Sequence, residues 1–217
     1  LEYKGFEVTQ VTNITDMEER AILDSEPATL DLDAAADRHI KICRRDLDVL
    51  GVHPASYYPR TSEHVDDMLD ISKVLVEKGF AYEKLRSVYY DISKFEDYGK
   101  LSRIDIQKIR LGKTVDLEAY EKQNPRDFTL LRRATLAELK RGLYLKTSWG
   151  NVLPSLHLET VALAMKYLGA TVDIHTSSLD FLFPHNENEI AIARAATGKP
   201  LANYYIHCER VLTEGKK

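Results

Sequence analysis

Residues 173–190 constrain the fold of this chain more than any other stretch. Thr171 to His175 is a short apolar run that suits a buried strand. Thr176-Ser177-Ser178-Leu179-Asp180 follows as a polar turn, then Phe181-Leu182-Phe183-Pro184, then a helix opening on His185, Asn186, Glu187, Asn188 and Glu189. Such an order places unusual side chains and unpaired helix N–H groups at one sheet edge. In α/β proteins that edge is where nucleotides and small acids bind.

The flanking text supports an α/β outline. Phe6 to Val11 alternates apolar and polar residues and predicts a strand, with Asn13 to Asp16 as a turn. Asp31 to Leu50 predicts a helix stopped by Gly51. A second helix is expected from Thr61 or Ser62, with Val65, Met68, Ile71, Leu75 and Val76 on its apolar face and Gly79 at its end. Phe80 to Glu83 and Ser87 to Ile92 predict a hairpin. From about Asp91 to Thr147 the text turns charged and irregular and reads as an inserted lobe, not as sheet core. After Trp149-Gly150 the α/β pattern returns. A helix is expected over Leu158 to Leu168, another over Asn186 to Thr197, and a strand over Tyr204 to Cys208.

Composition narrows the class. Of the 217 residues 44% are hydrophobic, enough for a proper core. The formal net charge of −4 gives no general basic field for nucleic acid, so any RNA contact must be local. The two cysteines, Cys43 and Cys208, form no CxxC pair, and no apolar run approaches 18 residues. A cytoplasmic setting is expected. The chain opens on Leu1, which suggests a fragment or a processed chain.

Several residues carry chemistry and each has a plainer reading. His185 and Glu189 are spaced i, i+4, which aims both from one helix face and suits metal ligation. The plainer reading is a helix start where Asn186 or Asn188 caps and the acids complement the dipole. His157 and Glu159 are either a polar pair facing a pocket or capping residues. Asp180, past His175, is either a partner for a ribose hydroxyl or ammonium group, or an Asx-turn. Arg132-Arg133 and Lys140-Arg141 read as solvated surface.

Taken together, these segments resemble the catalytic region of cysteinyl-tRNA synthetase, a class I aminoacyl-tRNA synthetase. Val11-Thr12-Asn13-Ile14-Thr15-Asp16 is similar to the family's V-x-N-I-T-D. Val88-Tyr89-Tyr90-Asp91 and Tyr98-Gly99-Lys100-Leu101-Ser102 resemble V-Y-F-D and Y-G-K-L-S. Asp127-Phe128-Thr129-Leu130 resembles D-F-x-L, and Met165 to Gly169 is as the family has it. Phe183 to Ile190 matches F-P-H-H-E-N-E-I but for Asn186. The matches are collinear and run nearly end to end.

The resemblance implies an α/β fold: a Rossmann-like class I synthetase catalytic domain with an inserted connective lobe. It implies residues 1–80 as the first part of that domain, 81–148 as the connective insertion, and 149–217 as the second half, up to the start of a K-M-S-K-S loop at Lys217. It implies activation of an amino acid by ATP with magnesium, with transfer to tRNA where further domains exist. Asn13, Thr15, Asp16, Leu156, His157, His175, Ser178 and Asp180 fall at the implied ATP and substrate positions, and Lys217 at a catalytic one. The family's zinc ligands, two cysteines, a His and a Glu, map onto Thr160, His185 and Glu189, the second cysteine position preceding Leu1.

The departures carry as much weight. Thr160 stands where the family has a ligand cysteine, and a threonine hydroxyl is a poor zinc donor. Zinc is therefore not expected. Leu156 stands for a substrate-site Trp. The family's H-G-G-G-x-D is His175-Thr176-Ser177-Ser178-Leu179-Asp180, so side chains crowd a close backbone approach. The expectation is amino-acid activation with altered or lost cysteine selectivity. An ATP-dependent ligase joining an amino acid to a small amine, and a non-catalytic binding or regulatory paralogue, are the alternatives.

Overall fold

The computed structural model describes residues 1–17, 32–105, 122, 124 and 126–209. Lys217 lies outside them.

The chain begins with Leu1 to Thr9 outside any sheet and Phe6 exposed, so the expected strand over Phe6 to Val11 is not there. Alternation alone cannot make a strand without a partner alongside. Pairing starts only at Gln10 and runs through Ile14, in parallel with Tyr57 to Thr61: Thr12 N–H donates to Tyr57 O at 3.0 Å and Ile14 N–H to Pro59 O at 2.9 Å. The expected turn is thus delayed to Asp16 and Met17.

Helix α1 spans Leu32–Val49, within a residue of its expected ends. Thr61–Glu63 is a single 3-10 turn, and α2 starts later, at Val65, and runs to Glu77. Thr61 does not cap it. Its hydroxyl is taken by Ile14 O and by Glu159 Oε2, both at 3.1 Å. Met68, Ile71 and Leu75 form the buried face, as the spacing predicts.

A five-stranded antiparallel sheet follows, ordered β1-β2-β3-β5-β4. Its strands are β1 (Ala81–Lys84), β2 (Ser87–Tyr90), β3 (Phe128–Arg133), β4 (Leu145–Thr147) and β5 (Gly150–Pro154). The hairpin β1–β2 turns on Leu85 and Arg86, both with positive φ, as tight two-residue hairpins require. Here the reading of residues 91–147 as a lobe without sheet core is corrected. Strand β3 is the middle strand, with Leu130 and Leu131 fully buried. Nor is Arg132 solvated surface. It ion-pairs with Glu138, which closes the capping box of α3 (Leu136–Arg141) with Thr135.

Helix α4 (Leu156–Leu168), strand β6 (Val172–Ser178), helix α5 (Glu187–Thr197) and strand β7 (Ala202–Cys208) complete the order. Strands β6 and β7 pair in parallel, from Val172 opposite Ala202 to Ser178 opposite Cys208. Helices α2, α4 and α5 pack on one another and share a core with the sheet, built on Leu75, Tyr90, Leu131, Leu158, Val161, Ile192 and Leu201. Each such buried side chain stabilises the fold by about 1.5–3 kcal/mol. No helix among the described residues is long and apolar enough to cross a membrane.

Candidate functional site

At its carboxyl end β6 gives way to a 3-10 turn, Leu179–Phe181, and then to a π-type turn, Leu182–Asn186, containing the cis Phe183–Pro184 bond. Helix α5 starts there with three consecutive buried polar residues, Glu187, Asn188 and Glu189. Two acids in a first turn suit the helix dipole. Burial requires more, since each polar group then needs a partner.

Those partners come from three directions. Glu187 accepts from Gly99 N–H at 3.0 Å and from the Ser102 N–H and hydroxyl, each at 2.7 Å. Asn188 Oδ1 accepts from the Tyr98 hydroxyl. Burial, then the nearby Glu187, pushes that phenol far above its ordinary range, so it stays a donor. Glu189 Oε2 accepts from Asn186 Nδ2 at 2.9 Å and lies 3.1 Å from His175 Nε2. Asn186 Oδ1 in turn accepts from Ser177 Oγ at 2.8 Å and from His207 Nε2 at 2.9 Å. Neither Asn186 nor Asn188 caps the helix; both reach across the fold.

Helix α4 supplies the facing side. His157 Nε2–H donates to Thr129 O at 2.7 Å, and the ring stands edge-on to Phe128 with centroids 5.0 Å apart. Burial first, then the neighbouring His185, lowers its pKa to about 3. His157 is therefore neutral near pH 7, with Nδ1 left as a buried acceptor that no described group reaches. The His157 and His185 rings lie 5.8 Å apart, and Phe181 meets His185 edge-on at 5.0 Å. Thr160, one turn beyond His157, donates its hydroxyl to Leu156 O at 3.0 Å.

The other expected positions are placed as follows. Asn13 and Thr15 are half-buried either side of the Ile14–Arg60 bridge. Asp16 is held in a clamp. Its Oδ2 accepts from Arg60 Nε and Ser62 Oγ, each at 2.6 Å, and its Oδ1 from Ser62 N–H at 3.0 Å. That bond, with a second to Asp37, raises the Arg60 pKa. Leu156 is the half-buried first residue of α4. Ser178 accepts weakly from Asp180 N–H at 3.4 Å, and Asp180 is exposed.

The fold thus joins His175 to Glu189 and His157 to His185, while Asp16 serves its own clamp. Sequence reading named Glu159 as one of a polar pair but missed Ser177, His207, Thr61 and Tyr98 as hydrogen-bonding partners. One signal was available. The apolar Ala191-Ile192-Ala193 behind three polar residues predicts a helix buried to its first turn, which obliges those residues to find partners. Among the described residues, no three His, Cys, Asp or Glu side chains are grouped as a metal site would group them.

The family described as tRNA synthetases class I (C) catalytic domain matches residues 1–217. The chain is 46% identical over 217 residues to a cysteine–tRNA ligase of Methanosarcina acetivorans, covering 100% of this chain and 46% of that protein. It is 40% identical over 217 residues to one from Pyrococcus abyssi, covering 44% of it, and 40% over 215 residues to one from Listeria monocytogenes, covering 45%. The chain spans less than half the length of these relatives. With a match from first residue to last, the chain belongs to the class I tRNA synthetase (C) catalytic domain family.

Proposed function

We propose that this chain activates an amino acid with ATP and that its selectivity no longer rests on a zinc-bound thiolate. ATP enters as its magnesium complex. The amino-acid carboxylate attacks the α-phosphorus, the bond to the β-phosphate oxygen breaks, and pyrophosphate leaves, giving the aminoacyl-adenylate. The acceptor in the longer relatives' reaction is tRNA, and the same acceptor is proposed for any whole protein that contains this chain. Residues 81–148 form the connective insertion of this scheme, with residues 1–80 and 149–217 as the halves around it.

The observation that carries the selectivity reading is the state of the substituted donors. Structural and substrate-binding zinc both want strong, oriented donors. Thr160 spends its hydroxyl on its own helix at Leu156 O, and Glu189 Oε2 already serves Asn186 and His175. The donors present do not fit a zinc ion, and no step is routed through one. Chain residues carry what remains. Asp180, beyond the end of β6, holds the ribose or the substrate ammonium. His175 lines the same edge, Ser178 sets the turn between them, and Lys217 opens the phosphate loop. Asn13, Thr15 and Asp16 support the nucleotide side through the Arg60 clamp, and Leu156 and His157 wall the amino-acid side.

An ATP–pyrophosphate exchange screen over all amino acids tests this. Exchange with an amino acid other than cysteine is the expected result. Robust exchange and tRNA charging with cysteine overturns the selectivity reading. No exchange with any amino acid, alongside nucleotide binding, overturns activation itself.

A further inference from the structure

We infer that the amino-acid side-chain pocket takes a group that donates a hydrogen bond, a hydroxyl or an ammonium, in place of a thiolate; this rests on the amino-acid-activating reading above. The side chains at and beside the substituted positions direct donors inside the protein, one of the two Asn186 Nδ2 hydrogens included. Thr160 O–H is on Leu156 O, His157 Nε2–H is on Thr129 O, and Asn186 Nδ2 is on Glu189 Oε2. Thr160 and His157 then offer acceptors, the Thr160 hydroxyl lone pairs and the buried His157 Nδ1, and Glu189 adds Oε1, on which the described residues place no hydrogen bond.

These acceptors sit on facing elements. His157 and Thr160 are i, i+3 on α4, so they share one face. The His157 ring meets that of His185, and Glu189 follows His185 into the first turn of α5. His157 is only 8% exposed, and its Nδ1 is a buried acceptor that no described residue donates to, which is costly. An occupant that donates removes that cost. A thiolate adds an anion beside a buried carboxylate and supplies no donor at all.

The orientation of Glu189 is itself built in. Asn186 and Ser177 both depart from the family's letters, and they bond each other at 2.8 Å. With Ser177 Oγ and His207 Nε2 both donating to Oδ1, the Asn186 amide must turn its Nδ2 to Glu189. Glu189 Oε2 is thereby held by Asn186 and faces His175, and Oε1 is the oxygen left to bind.

The experiment is calorimetry of the chain with non-hydrolysable aminoacyl-sulfamoyl adenosines carrying alanyl, seryl, 2,3-diaminopropionyl and cysteinyl groups. The expected result is that the seryl or the diaminopropionyl analogue binds about tenfold or more tighter than the alanyl one, as for a hydrogen bond to a charged group. A seryl preference identifies the hydroxyl as the recognised group and a diaminopropionyl preference the ammonium. Glu189→Gln should bring the diaminopropionyl-to-alanyl ratio towards one, and Thr160→Val should do so for the seryl-to-alanyl ratio. Ratios are read because a general loss of folding lowers all four affinities together. Four affinities within about twofold of one another, or cysteinyl tightest, overturn the donor inference and leave the adenylate reading standing. Binding of none of the four overturns both.

Discussion

Replacing Glu187 by Gln tests whether the start of α5 is the hub that fixes the Tyr98–Ser102 loop against the site. Glu187 is 1% exposed and accepts three hydrogen bonds, all from the loop. Glutamine has one oxygen. If it takes the place of Oε1, both Ser102 bonds persist as neutral ones, and the amide nitrogen then faces the Gly99 N–H donor to donor. The variant loses one charge-assisted bond of about 1.5–3 kcal/mol and orphans a buried N–H at about 1–3 kcal/mol. Relief comes from no longer burying a charge, since Glu187 has no ion-pair partner among the described residues. The balance is a destabilisation of about 2–4 kcal/mol. Urea unfolding followed by circular dichroism should show the midpoint falling by about 1–2 M at an unchanged slope. Hydrogen exchange should show lost protection at residues 99–104. A midpoint shift below about 0.3 M would mean the loop is held by other contacts and would refute the hub.

Four further outcomes are expected. Burial alone would raise the Glu138 carboxyl, but Arg132 and the Thr135 N–H and hydroxyl together hold it at about 2, below its ordinary 4.5. Its contribution is therefore complete above pH 4.5 and lost as pH falls from 4.5 towards 2, and Arg132→Met should flatten that acid limb in pH-dependent unfolding. Arg60→Ala should cost about 1–3 kcal/mol in the same assay, because the Asp16 carboxylate, 2% exposed beside Arg60, keeps only Ser62 as a partner among the described residues. Asp180→Ala should weaken binding of an adenylate analogue by about 1.5–3 kcal/mol in calorimetry, and unchanged affinity in a folded variant removes Asp180 from the site. Elemental analysis after dialysis should find no stoichiometric zinc; one zinc per chain, lost in His185→Ala, refutes the reading of Thr160.

What the sequence made legible was local. The helices announced themselves because apolar residues recur at 3.6 spacing and Gly51, Gly79, Gly169 and Gly198 close them with positive φ or a turn. Strand β3 stayed hidden because its charges looked like solvated text. Arg132 is neutralised by Glu138 six residues on, and Asp127, just before the strand, accepts a hydrogen bond from the Tyr82 hydroxyl of β1. Phe6 to Val11 misled because alternation says nothing about whether a partner strand is present. At the site, the i, i+4 pair His185 and Glu189 could be read from spacing, and the departures Thr160 and Ser177 from the resemblance. The bonds from Ser177 to Asn186 and from Thr61 to Glu159 join residues nine and ninety-eight positions apart. Only the fold reveals them, and they decide which atoms remain available.

Those bonds also bear on whether the buried polar residues of this site are kept satisfied. Asn186, Glu187, Asn188, Glu189 and Glu159 are all at most 4% exposed, and keeping five polar side chains out of water is costly unless each is hydrogen-bonded. A site drifting without use would be stabilised by apolar replacements of similar volume at such positions. Here the polar residues remain and each is bonded: Glu159 to Thr61, Glu187 to Gly99 and Ser102, Asn188 to Tyr98, Glu189 to Asn186. The two substituted residues among them, Ser177 and Asn186, supply each other's hydrogen bond. A side chain in place of a motif glycine and an amide in place of a motif histidine thus meet in one hydrogen bond. Its effect is to aim the Asn186 amide at Glu189. A carboxylate so restrained, one turn on from the His185 ring that His157 meets, gives this edge a definite polarity, which is what the proposed change in selectivity draws on.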